Sequence, residues 1–140
     1  MLDTNVLVSG LLQPQGNPAH VVALVLAGAI EVCHDERILA EYAEVLARPR
    51  FQFDPARVDE ILTKLALDGI AVEVADQSFG LPDEDDEPFL GVALATGADY
   101  LVTGNLRDYP AEKRRGCAVV SPAEFLAAWR NIHPDGPDTT

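Results

Sequence analysis

Short apolar runs rich in β-branched residues alternate along this chain with longer stretches whose apolar positions recur at helical spacing. That alternation predicts a parallel sheet covered by helices. The strand-like runs fall at residues 2–8, 30–33, 71–74, 100–103 and 118–120, and the helical stretches at 18–27, 36–47, 55–67, 87–96 and 122–130. Several boundaries carry their own chemistry. Asp35 and Asp54 stand where a side-chain oxygen caps free amides, and Pro55 fits a first helical position. Ser121-Pro122-Ala123-Glu124 has the spacing of a capping box. Gly28, Gly69 and Gly97 follow helical stretches, where helices commonly stop.

The chain has 140 residues, 48% of them hydrophobic and 24% charged, which suits one folded core rather than a disordered segment. We therefore expect one domain over residues 1–130, followed by a flexible C-terminal tail, 131–140, that has little apolar surface with which to order itself. No apolar run approaches the roughly 20 residues of a membrane span, and Met1-Leu2-Asp3 lacks the basic start of a signal peptide. A cytoplasmic protein without membrane contact is expected. Cys33 and Cys117 have no CxxC spacing and read as free thiols.

The net charge of −13 argues against a general nucleic-acid binder. It is compatible with clustered carboxylates that repel phosphate only until divalent cations occupy them, and with a basic partner protein. Ligands of parallel α/β sheets bind beyond the carboxyl ends of strands, so acids there carry most weight. Asp3 interrupts an apolar run; it is either an acid frayed into solvent or a buried charge that needs a pairing group or a metal. Glu41 and Glu44 share the flank of one helix, where a solvated face, with Glu44 paired to Arg48, competes with a place in a cleft. Asp83-Glu84-Asp85-Asp86-Glu87 puts five acids ahead of a helix; capping explains one or two, and coordination of a cation would relieve the crowding of the rest. Asp99-Tyr100-Leu101-Val102-Thr103-Gly104-Asn105 is an apolar strand ending in a polar turn.

Taken together, Leu2-Asp3-Thr4-Asn5-Val6-Leu7, Ile38-Leu39-Ala40-Glu41-Tyr42-Ala43-Glu44-Val45-Leu46, Asp83-Glu84-Asp85-Asp86-Glu87-Pro88-Phe89-Leu90 and Ala98-Asp99-Tyr100-Leu101-Val102-Thr103-Gly104-Asn105 closely resemble the PIN-domain family. The best match is its branch of VapC-like toxins, and the similarity runs to about Trp129. The resemblance implies a three-layer α/β/α sandwich with a central parallel sheet. It further implies an endoribonuclease that uses Mg²⁺ or Mn²⁺, an RNA substrate, a cognate antitoxin and a homodimer. Its metal ligands fall on Asp3, Glu41 and Asp86, and its fourth catalytic position on Asn105. Thr4, Asn5, Asp83, Asp85, Thr103 and Asp108 take auxiliary places.

Two departures from the family stand out. Many PIN domains have Asp where Asn105 stands, and Asp108, or less well Asp99, could restore the lost charge. Family members also carry more residues ahead of the first Asp, so the opening strand reads as clipped, as though the start codon lay upstream. The alternative function is a catalytically degenerate PIN module that binds a protein partner. A phosphatase-like domain fits poorly, since no DxD pair follows the first strand. Arg48, Arg50, Arg57, Lys64, Arg107, Lys113, Arg114 and Arg115 are available to guide RNA; residues 113–115 form the compact cluster, which reads sooner as a solvated turn before the last strand. His20, His34 and His133 lack ligand spacing.

Overall fold

In the computed structural model, which describes residues 1–134, the chain forms six α-helices, four single 3₁₀ turns and four short strands among those residues. The helices are α1 (Thr4–Leu12), α2 (Asn17–Leu26), α3 (Glu36–Leu46), α4 (Pro55–Asp68), α5 (Glu87–Thr96) and α6 (Pro122–Ile132). The strands are β1 (Cys33–His34), β2 (Ile70–Ala71), β3 (Leu101–Val102) and β4 (Val119–Val120). The class is α/β, and both strand pairs, β1 with β2 and β3 with β4, are parallel. They are separate two-stranded ladders rather than one continuous sheet.

The strand expected over residues 2–8 is corrected. Only Leu2 keeps strand character, bridging Val102, and from Thr4 the chain is helical. Asp3 causes the switch: its extended backbone accepts the role of N-cap, with the carboxylate taking the Thr4 N–H. Val6, Leu7 and Gly10 then recur at helical spacing on the buried face of α1. What survives of the strand is a three-residue lead-in alongside β3. The Met1 amino group donates to the Tyr100 carbonyl oxygen at 2.9 Å, Val102 N to Met1 O at 2.9 Å, and Asp3 N to Val102 O at 2.9 Å.

Two further strands are displaced. The expected 30–33 becomes Cys33–His34, because α2 ends at Leu26, Gly28 turns the chain with φ +76°, and turn and bend geometry runs through Ile30. The expected 71–74 becomes Ile70–Ala71. The close crossing behind it requires Gly69, where a Cβ would lie 2.3 Å from the Val32 carbonyl oxygen. The helix boundaries follow their caps. Asp35 accepts from Ile38 N, Asp54 from Ala56 N, and the Ser121 and Glu124 side chains satisfy one another's backbone donors.

One apolar cluster fills the interior and includes Leu7, Leu24, Ile38, Tyr42, Ile61, Leu65, Phe89, Leu90, Leu101 and Trp129. Cys33 and Cys117 are free thiols, the first buried and the second half-buried. Helix α6 continues through Ile132, two residues into the expected tail, and His133 stacks on Trp129 with ring centroids 4.6 Å apart. The rest of the expected tail, residues 135–140, lies outside the described residues. Among the described residues no helix is long and apolar enough to cross a membrane.

Candidate active site

Three elements that are distant in sequence deliver carboxylates to one point: the start of α1, the start of α5 and the turn after β3. One carboxylate oxygen from each of Asp3, Asp86 and Asp108 lies within 4.8 Å of the other two. Hard divalent cations bind oxygen at about 2.0 to 2.6 Å, so ligands on opposite sides of an ion are about 4 to 5 Å apart. The trio therefore fits Mg²⁺ or Mn²⁺ in donor type and in separation.

Asp3 is buried and held by its neighbours. Its Oδ1 accepts the Thr4 N–H at 2.8 Å, and its Oδ2 accepts the Thr103 hydroxyl at 2.8 Å and the Tyr109 hydroxyl at 3.3 Å. Asn5 reaches Asp3 and Thr103 at 3.5 and 3.4 Å, and its carbonyl oxygen accepts Gly104 N at 2.8 Å, tying α1 to the turn after β3. Thr103 in turn receives the Asn105 N–H at 3.1 Å. Thr103, Asn5 and Thr4 thus orient the cluster.

Asp86 precedes α5 in helical backbone conformation and makes no side-chain cap bond, so capping does not consume its carboxylate. Its neighbour Asp83 is the residue spent on capping, accepting Asp85 N at 2.9 Å at the head of the 3₁₀ turn Glu84–Asp86. Asp83 and Asp85 are exposed and outside the trio. Burial, and after it the like charges of Asp3 and Asp108, push the Asp86 carboxyl up to about 8. Burial also raises the Asp3 carboxyl above its ordinary value, against the hydrogen bonds that lower it. No cation in the protein offsets this cluster by an ion pair with a described residue.

Glu41 and Asn105, expected at the centre, stand beside it. The Glu41 Oε2 accepts the Thr4 hydroxyl, and burial raises its affinity for protons. It adds to the electrostatic pressure on Asp86, yet it is not one of the three converging groups. Glu44, on the same helix, is the outward acid and pairs with Arg48 at 3.0 Å. Asn105 spends its carbonyl oxygen on Arg107 N at 3.3 Å, capping the 3₁₀ turn Leu106–Asp108, and donates its amide to Asp108 Oδ1 at 3.1 Å. It aims Asp108 into the trio. Asp99 precedes β3 and so lies at the strand's other end.

Two participants were not anticipated. Tyr109 is fully buried and donates to Asp3; an aromatic one position past Asp108 was the only sequence signal. Glu87 hid within the five-acid run. Its buried carboxylate accepts Phe79 N at 2.7 Å and Leu81 N at 3.1 Å, clamping the loop that leads to Asp83 and Asp86.

Comparison with curated proteins and with solved structures gives no match. The sequence profile of the family described as PIN domain matches residues 1–107, which takes in Asp3, Glu41 and Asp86 and stops one residue short of Asp108. PIN domains are generally nucleases, and they usually use divalent metals. With the matched region spanning most of its length, the chain belongs to the PIN-domain family.

Proposed function

We propose that this protein is a metal-dependent endoribonuclease that hydrolyses RNA phosphodiester bonds in the cytosol as the toxin of a toxin–antitoxin pair. The observation that carries the hydrolytic part is the convergence of Asp3, Asp86 and Asp108. In this reading those three carboxylates hold Mg²⁺ or Mn²⁺, with Glu41 beside them, on a three-layer α/β/α frame. A bound cation there supplies charge neutralisation at the scissile phosphate and eases deprotonation of the attacking water.

The chain's own residues do the rest. Thr103 and Tyr109 fix Asp3 Oδ2, and Thr4 fixes Glu41 Oε2. Among the described residues Glu41 Oε1 accepts no hydrogen bond, and we assign it as the acceptor of the water's proton. Asn105 keeps Asp108 oriented. The alternative, a degenerate module that binds a partner without cutting, draws on Asn105 replacing an acid. Asp108 puts a carboxylate back beside it, so the nuclease reading stands first. A homodimer and a cognate antitoxin complete the proposal.

Purified protein incubated with single-stranded RNA and Mn²⁺ is expected to release fragments bearing 5′-phosphate and 3′-hydroxyl ends, and none with excess chelator. Intact RNA in Mn²⁺, or equal cleavage in chelator, contradicts the proposal.

A further inference from the structure

The ten cations of this acidic chain are unevenly employed. Arg37, Arg48, Arg57 and Lys64 are in ion pairs, Arg130 is also engaged, and Arg50, without an ion pair among the described residues, lies over the ring of its neighbour Phe51 at 4.8 Å. Arg107, Lys113, Arg114 and Arg115 form no ion pair with a described residue, although the chain carries 23 acids. All four lie in the segment that begins beside Asp108 and ends before β4. Arg107 and Arg115 are exposed.

This segment is built against the candidate site. The Arg114 Nε donates to the Tyr109 carbonyl oxygen at 2.7 Å, and the Tyr109 hydroxyl donates to Asp3. Lys113 lies over Gly80, where a Cβ would meet its Nζ at 3.3 Å, and the Arg115 guanidinium sits 5.8 Å from the Phe79 ring centroid. Phe79 and Leu81 are the residues that Glu87 clamps, directly beside Asp86. Arg115 holds a left-handed backbone, φ +53°, followed by Gly116 at +89°, a turn that L side chains rarely adopt. The basic turn is therefore anchored on both flanks to the chain that carries Asp86 and Asp108.

We propose that Arg107, Lys113 and Arg115 form the phosphate track of this protein, binding the backbone of single-stranded RNA as it enters the carboxylate cluster. The proposal rests on the ribonuclease reading for the identity of the strand. Guanidinium and ammonium groups not neutralised by an ion pair bind phosphate oxygens, and such binding needs no base stacking, for which the chain has few aromatics. Arg114 is left out of the track because its Nε is committed to Tyr109.

The test compares the full chain with an Arg107→Gln, Lys113→Gln, Arg115→Gln variant and with an Arg107→Lys, Lys113→Arg, Arg115→Lys variant that keeps the charges. Binding of a short labelled single-stranded RNA is measured in chelator over a salt series. Each phosphate contact to a single strand contributes about 0.7 to the slope of log affinity against log salt, so the glutamine variant loses about 2 units of slope and binds about tenfold or more weakly near 100 mM salt. The charge-keeping variant retains the slope. Hydrolysis of bis(p-nitrophenyl) phosphate in Mn²⁺, a diester too small to reach the track, stays within about twofold of wild type.

Unchanged affinity and slope in the glutamine variant overturn the track, as does an equal loss of diester hydrolysis, which would place the effect in the carboxylate cluster. Absence of diester and RNA hydrolysis in the wild type overturns the nuclease reading instead, while the binding comparison still decides the track. If the triple variant does not fold, Arg115→Gln alone is expected to lower the slope by about 0.7, and no change in it overturns the proposal.

Discussion

Asp86→Asn is expected to abolish RNA cleavage and at the same time to make the metal-free protein more resistant to heat. Removing one of the three carboxylates proposed to hold the cation is expected to take away several kcal/mol of electrostatic stabilisation, which corresponds to at least about 10³-fold in rate. The gain in stability follows from the same geometry. Burial first, and the charges of Asp3, Asp108, Asp83 and Glu41 after it, hold the Asp86 carboxyl at about 8. Below about pH 4 it is protonated in folded and unfolded chains alike and costs nothing. As pH rises from there to about 8 the unfolded chain loses the proton and the folded one keeps it, so the stability present at low pH is progressively lost. Asn carries no charge at any pH. Melting curves in chelator should show the Asn variant pulling ahead of wild type as pH rises towards 8, and level beyond that. A variant that melts below wild type near pH 8 contradicts the electrostatic cost assigned to this carboxylate, and one that still cleaves RNA contradicts its proposed part in catalysis.

Glu87→Ala is expected to destabilise the fold by about 3 kcal/mol, because it leaves the amides of Phe79 and Leu81 without their acceptor inside the protein. For a domain of this size that is a fall of about 10 °C in melting temperature. Glu87→Gln keeps one acceptor oxygen and is expected to lose about half as much. Urea unfolding distinguishes the clamp from a bystander acid: a loss under about 0.5 kcal/mol for the Ala variant excludes it.

These two acids are neighbours in one run, and their opposite duties show where sequence reasoning stops. Composition and helix-dipole arguments treat the acids of residues 83–87 alike. Their roles diverge because the 3₁₀ turn Glu84–Asp86 spends Asp83 on its own amide, leaves Asp86 uncapped towards Asp3, and rotates Glu87 inward to the Phe79 loop. No periodicity encodes that rotation. Helices α3, α4, α5 and α6 were legible because their starts carry caps with a local mechanism at Asp35, Asp54 and Ser121, or a sharp acid-to-apolar boundary at Glu87.

The opening segment was misread for a related reason. Leu2 to Val8 is β-branched and apolar enough for a strand, but Asp3 caps, and Val6, Leu7 and Gly10 keep helical spacing, a signal present in the chain and outweighed by composition. The strands were found approximately because each is two residues long, and β1, β2 and β4 are bounded by a neighbouring cap or glycine, Asp35, Gly69 and Ser121, rather than by their own pattern. In the site, Asp3 and Asp86 were legible as acids at element ends. Asp108 was an auxiliary guess, and its place depends on how Asn105 bends the Leu106–Asp108 turn, which only the fold displays.

Calorimetric titration of the chelator-treated protein with Mn²⁺ near pH 7, repeated in buffers of different ionisation enthalpy, puts the convergence of carboxylates to the most direct test. A divalent cation must displace the proton that Asp86 retains at that pH, so stoichiometric binding with release of about one proton is predicted, and both are lost in Asp86→Asn. Absence of binding, or binding that the substitution leaves intact, contradicts it.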